Sequence, residues 1–191
     1  MSNPLALEVS DSILLDDRAV AALRLVAGLE LPEGAIAGDL VRCAVFDQIH
    51  GHAERTQLRR IEVVYFDAER TDAAIDRNIE MELVAASSRR PWEVQNLAAL
   101  RPEAKNLAEA LSVYADTASA VAARVTSRPG TPDALELVSP YGLEDLVAGV
   151  VRPHDPSRAL ELRQRAEKER WKARYPNLRF VGLDALEPDE G

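Results

Sequence analysis

Six consecutive residues, Ile61-Glu62-Val63-Val64-Tyr65-Phe66, constrain this chain more than any other segment. Isoleucine and valine are branched at Cβ, and tyrosine and phenylalanine are broad and stiff; all pack well on a pleated surface. Asp67 ends the run. The pattern predicts a strand that is buried except where Glu62 interrupts it.

Around that strand the signals are mixed. Val20, Leu23 and Ala27 follow Asp16 and Asp17 at helical spacing, which predicts a helix over 16–29 broken by Pro32-Glu33-Gly34. Leu40, Val41, Ala44, Val45 and Ile49 predict a second helix that stops at Gly51. A third is expected over 71–86, capped by Thr71 or Asp72, with Ile75, Ile79 and Leu83 on one face. Residues 92–95 read as a strand, 106–122 as a helix with a break near Asp116, and 141–150 as a short helix. The turn signal Arg128-Pro129-Gly130 predicts a hairpin of 122–126 with 134–138. A charged helix is expected over 156–174 and a last strand over 178–181. Helices and strands follow one another without strict βαβ alternation, so the expected class is α+β. The expected organisation is a single domain over residues 1–183 and a flexible tail over 184–191.

Composition narrows the function classes. The chain has 191 residues, long enough to bury a core without staples, and Cys43 is the only cysteine, which rules out an internal disulfide and a cysteine-rich zinc site. No apolar run approaches the roughly 20 residues a membrane helix needs. The first 17 residues mix apolar side chains with Glu8, Asp11, Asp16 and Asp17, so no signal peptide is expected and the location expected is cytoplasmic. The formal charge of -9 argues against nucleic acid as a partner, because phosphate backbones are held by clustered cations. It leaves room for one nucleotide in a local pocket.

Several segments, in order, resemble one bacterial nucleotidyltransferase-like family. Thr56-Gln57-Leu58-Arg59-Arg60-Ile61-Glu62-Val63-Val64-Tyr65-Phe66-Asp67 is similar to its strand motif T-P-L-x-D-I-D-V-x-Y-F-D. Ala37-Gly38-Asp39-Leu40-Val41-Arg42-Cys43 with His50-Gly51 resembles G-A-G-x-[IV]-R-N followed by L-H-G, and Pro91-Trp92-Glu93-Val94-Gln95-Asn96 resembles P-W-x-V-x-N. Asp116-Thr117-Ala118, Pro140-Tyr141-Gly142-Leu143-Glu144-Asp145-Leu146, Val151-Arg152-Pro153 and Trp171 with Tyr175-Pro176-Asn177-Leu178 resemble the family's E-T-A, P-Y-G-L-x-D-L, V-R-P and W…W-P-x-L elements. The resemblance implies a polymerase-β-type nucleotidyltransferase core with added C-terminal helices, and transfer of a nucleotidyl group from an NTP to an unknown acceptor.

That chemistry uses two magnesium ions about 3.5–4 Å apart to stabilise the entering and leaving oxygens. Asp-x-Asp on a strand suits it, because residues i and i+2 face the same way and Mg²⁺ takes hard oxygen ligands. Here those positions read Arg60 and Glu62, and the third carboxylate position reads Glu93. By the resemblance, Glu62 and Glu93 are the catalytic and metal ligands, and Gly38 and Arg42 the nucleotide contacts. Arg60 puts a permanent cation where an anion is needed. Asp39 stands where the glycine turn should meet phosphate, and Arg101 stands where the family carries histidine.

Each feature also has a plainer reading. Glu62 can be the polar residue of a buried strand, and Arg60 a solvent-exposed strand end. His50 and His52 lie two apart, not at helical ligand spacing, and suit a helix end. Cys43, Trp92 and Trp171 suit packing, and the run 163–172 suits a solvated helix face. Two functions follow: a weakened or inactive nucleotidyltransferase, using Mg²⁺ if active, or an inactive fold kept as a binding or regulatory module.

Overall fold

Asn3 opens the described part of the chain by capping α1 (Pro4–Leu14), its side chain accepting the Leu5 N–H. The computed structural model describes residues 3–88, 90–126 and 134–183. Asp16 caps α2 (Asp17–Ala27) in the same way. The chain then forms β1 (Ala35–Ala37), α3 (Asp39–Ile49), β2 (Ile61–Tyr65), α4 (Ala73–Ala86) and β3 (Trp92–Asn96). Short helices α5 (Leu97–Leu100) and α6 (Leu107–Ala110) lead through a 3-10 turn at Leu111–Val113 to β4 (Ala122–Thr126) and β5 (Ala134–Val138). After α7 (Glu144–Val147) and β6 (Val150–Val151) come α8 (Ala159–Lys168), α9 (Trp171–Arg174) and β7 (Arg179–Phe180).

The first five strands form one sheet in the order β3-β2-β1-β4-β5. β2 runs parallel to β3 and antiparallel to β1, and β1 and β5 both run antiparallel to β4. Alternation splits the sheet's side chains between two apolar clusters. Ile36, Val63, Tyr65 and Ala123 join the larger one with α1, α2 and α3, and Ala35, Ala37, Val64 and Ala122 join the smaller one with Leu97, Leu107 and Leu111. β6 and β7 pair separately in parallel. The class is α+β, as expected.

The strand at 61–65, the helices at 39–49 and 73–86, and the pairing of 122–126 with 134–138 match the expectations. The hairpin's tip at Arg128-Pro129-Gly130 and the tail after residue 183 lie outside the described residues. Three expectations fail. The helix expected over 106–122 ends after α6 and the 3-10 turn. Beyond it, residues 115–121 are all buried. Asp116 there takes the Ser119 N–H on its side chain, an alternative to the helical ladder that outweighs the alanines' propensity. The charged helix over 156–174 is split because Arg170 adopts φ +54°, which turns Trp171 inward to 1% exposure. The helix expected over 141–150 shrinks to Glu144–Val147, because Val150 and Val151 pair with β7. The sequence also concealed α1 and β1. Ala-Ile-Ala is too short to show a period, yet β1 is the middle strand and fully buried.

Candidate active site

β1 ends at Ala37, Gly38 makes the turn, and α3 starts at Asp39. Register places Glu62 opposite Ala37 on one side and opposite Glu93 on the other, so the two glutamates stand side by side on parallel strands. Arg60 precedes β2 by one residue and shares the face of Glu62. Its Nε lies 3.3 Å from Glu62 Oε1 and 3.6 Å from Glu93 Oε2. Neither contact has hydrogen-bond geometry, so the link is electrostatic. The guanidinium thus sits between the two acids, within the space a shared cation would use.

Glu62's other oxygen, Oε2, accepts the Asp39 backbone N–H at 3.2 Å. The N-terminus of α3 is where such a fold offers N–H groups to a phosphate; here a carboxylate of the same chain takes one. Gly38 permits this contact. Its φ is +65°, and a Cβ there would collide with Glu62 Oε2. Burial, then the neighbouring Asp39, pushes the Glu62 carboxyl above the usual glutamate range, while Arg60 opposes the shift. For Arg60 burial acts downward, but Glu62 and Glu93 outweigh it and hold the guanidinium more firmly charged.

Asp39, expected to repel phosphate, is already neutralised. Its Oδ1 accepts from Arg42 Nη2 at 2.8 Å and from Arg165 Nη2 on α8 at 2.9 Å. Burial pushes its carboxyl up, but those arginines prevail and hold it below the usual aspartate range. Arg42 is 2% exposed. It also donates to Ser119 Oγ at 2.7 Å, lies 3.7 Å from Glu169 Oε2 and stacks 3.8 Å from the centre of Trp171. The side chain proposed as a nucleotide contact therefore lies behind Asp39, inside the protein. Local reading missed Arg165, Glu169 and Ser119. The one available signal was Asp39 itself, a charge at the start of a helix whose apolar spacing predicts burial, where it needs a cation partner.

The remaining matched segments hold the scaffold. Asn96 donates to the Asp67 and Arg70 carbonyls at 2.7 and 2.9 Å, fixing the loop after β2. Thr117 and Arg152 both donate to the Asp145 carboxylate, so three segments distant in sequence converge on one cluster. Arg101 pairs with Glu103. His50 accepts the Asn177 N–H, and His52 bonds Asp47, as helix-end and loop roles require. Cys43 and both tryptophans are buried. Among the described residues no three His, Cys, Asp or Glu side chains are placed to hold one metal ion, and no helix is long and apolar enough to cross a membrane.

Comparison with known proteins agrees with this architecture. The chain is similar to a protein whose NMR structure reveals a CCA-adding enzyme head domain, at TM-score 0.74 and 22% identity, covering 91% of this chain and 94% of that one. It is also similar to a CCA-adding enzyme in complex with CTP (TM-score 0.56, 14% identity, covering 95% of this chain) and to a tRNA-processing enzyme in an apo form (0.52, 19%, 87%). The chain spans 44% of the length of each of those two enzymes. At these identities the likeness establishes the fold. Such neighbours give no support to excluding nucleic acid on net charge alone. A search of curated proteins finds no match. A family described as Nucleotidyltransferase matches residues 24–180, most of the chain, and on that match the protein belongs to the nucleotidyltransferase family.

Proposed function

We propose that this protein keeps the nucleotidyltransferase fold as a binding or regulatory module, with nucleotidyl transfer weakened or lost. One observation carries the reading: the Arg60 guanidinium lies between Glu62 and Glu93. Mg²⁺ needs several oxygen ligands in near-octahedral order and is repelled by a fixed cation. Two glutamates already engaged by Arg60, one of them also bound to the Asp39 N–H, do not form that ligand set. The donor set therefore does not fit the ion pair of a two-metal mechanism.

The competing reading makes Glu62 and Glu93 catalytic metal ligands, with NTP phosphates at the Gly38 turn and Arg42 behind it. It is favoured by the side-by-side register of the two acids. It requires Arg60 to leave them and Glu62 to release the turn.

Calorimetry of the full chain with each NTP, in Mg²⁺ and in EDTA, separates the two when paired with a pyrophosphate-release assay. The expected result is an affinity that changes by less than about threefold between the conditions, with no pyrophosphate formed. Binding that requires Mg²⁺ and is followed by pyrophosphate release overturns the proposal.

A further inference from the structure

A cavity of about 420 Å³ opens beside the cleft, lined by His52, Thr56, Gln57, Leu58, Arg59 and Arg174. That volume lies in the range of small-molecule sites. Its lining contains no carboxylate and two arginines, in a chain whose net charge is -9. Neither arginine has a carboxylate within salt-bridge distance among the described residues, although Arg174 lies near enough to Asp39 to help lower its pKa. This contrasts with Arg42, Arg60 and Arg165, which are all committed to carboxylates.

The walls are braced against each other. Asp47, 1% exposed, accepts the Thr56 N–H at 2.7 Å, the Thr56 hydroxyl at 2.7 Å and the Tyr175 hydroxyl at 2.9 Å. The loop that carries Arg59 and the end of α9 that carries Arg174 are thereby tied to one carboxylate. His52 Nδ1 lies 3.0 Å from the same carboxylate, so that nitrogen holds the proton and Nε2 is left for other partners. The His52 ring stacks on Tyr175 at 5.3 Å between centroids. Two guanidiniums with no carboxylate in salt-bridge range, carried by segments braced through Thr56 and Tyr175, match phosphate oxygens, which accept charge-assisted and bidentate bonds. Inward, the cavity narrows toward Asp39 and Glu169, whose charges Arg42 and Arg165 already meet.

We infer that this cavity binds the oligophosphate part of a small molecule, with Arg59 and Arg174 as the main contacts and the Gln57 amide beside them, without a divalent cation. The inference extends the binding-module reading. It uses neither Glu62 nor Glu93, and arginine charge takes over the neutralising role magnesium has elsewhere.

Calorimetry of the full chain with inorganic tripolyphosphate in EDTA tests it. Binding should be measurable, and Arg59→Ala with Arg174→Ala should weaken it by about tenfold or more. Arg77→Ala, an exposed arginine on α4, should leave it unchanged. Circular dichroism melting of each variant checks that the fold is kept, and Arg59→Lys with Arg174→Lys, which conserves charge, should retain part of the affinity. No binding of tripolyphosphate up to millimolar concentration, equal affinity in the double alanine variant, or an equal loss in Arg77→Ala would overturn the inference. Binding of a single-stranded RNA through the same arginines without tripolyphosphate binding would do the same. Mg²⁺-dependent pyrophosphate release would instead sink the proposal about the cleft and leave the cavity's behaviour in EDTA unaltered.

Discussion

The Glu62 carboxylate accepts the Asp39 backbone N–H at 3.2 Å, so an anion from β2 already occupies the N-terminus of α3. The opposite oxygen of the same carboxylate faces Arg60. One side chain thus meets both parts of the expected site: it bonds the first N–H of the helix and, with Glu93, flanks the Arg60 guanidinium.

Reversing the charge at position 60 should reopen the metal site. In Arg60→Asp combined with Glu62→Asp, the strand regains two short carboxylates on one face beside Glu93. Mg²⁺ or Mn²⁺ binding should then become measurable by calorimetry at roughly millimolar concentration, and the parent protein should show none under the same conditions. No gain over the parent would show that the site has been placed wrongly.

Gly38→Ala should destabilise the fold by about 2 kcal/mol, because an L-residue at φ +65° is strained and the new methyl would collide with Glu62 Oε2. Removing the carboxylate relieves the collision but not the strain. In urea unfolding, Gly38→Ala with Glu62→Ala should therefore be less destabilised than the sum of the two single changes, by about 1 kcal/mol. Strict additivity would mean that the two groups do not meet.

Asp39→Ala should cost roughly 3 kcal/mol, since it leaves the buried Arg42 without its nearest carboxylate and frees Arg165 from α3. The intact Asp39 has a folded pKa below its unfolded value. Its contribution is present above the unfolded value and disappears as pH falls through the folded one. Unfolding midpoints measured from neutral to acid pH should fall more steeply in the parent than in the variant. Parallel curves would contradict the pairing.

Glu62 behaves in the opposite sense. Burial raises its folded pKa, so the folded state holds the proton more tightly and stability declines as pH rises from the ordinary glutamate value through the folded one. Glu62→Gln should remove that decline and leave stability at neutral pH equal to the parent's or higher by up to about 1 kcal/mol. A clear loss at neutral pH would mean that the ionised contacts to Arg60 and Asp39 outweigh burial.

Much of the fold could be read locally. The β-branched run at 61–65, the Asp72 cap of α4 and the apolar spacing of α3 each depend on neighbours within a turn or a pleat, which is what periodicity reports. Ala35–Ala37 escaped because three small residues carry no period, although they form the central strand. Residues 115–121 were misread because alanine favours helix in isolation, while here the segment is buried and Asp116 bonds its own turn.

The sequence by itself determined which residues stand at the family's functional positions: Arg60, Glu62 and Glu93 on the strands, and Gly38 and Asp39 at the turn. Only tertiary structure decided what those charges do. Arg60 turns toward both glutamates, Glu62 caps the helix that should meet phosphate, and Arg165, 126 residues from Asp39 in the chain, neutralises it. The reason is physical. Strand and helix propensities act over a few residues, whereas ion pairing and burial act through space, and the partners they select become neighbours only after the sheet and the C-terminal helices have packed.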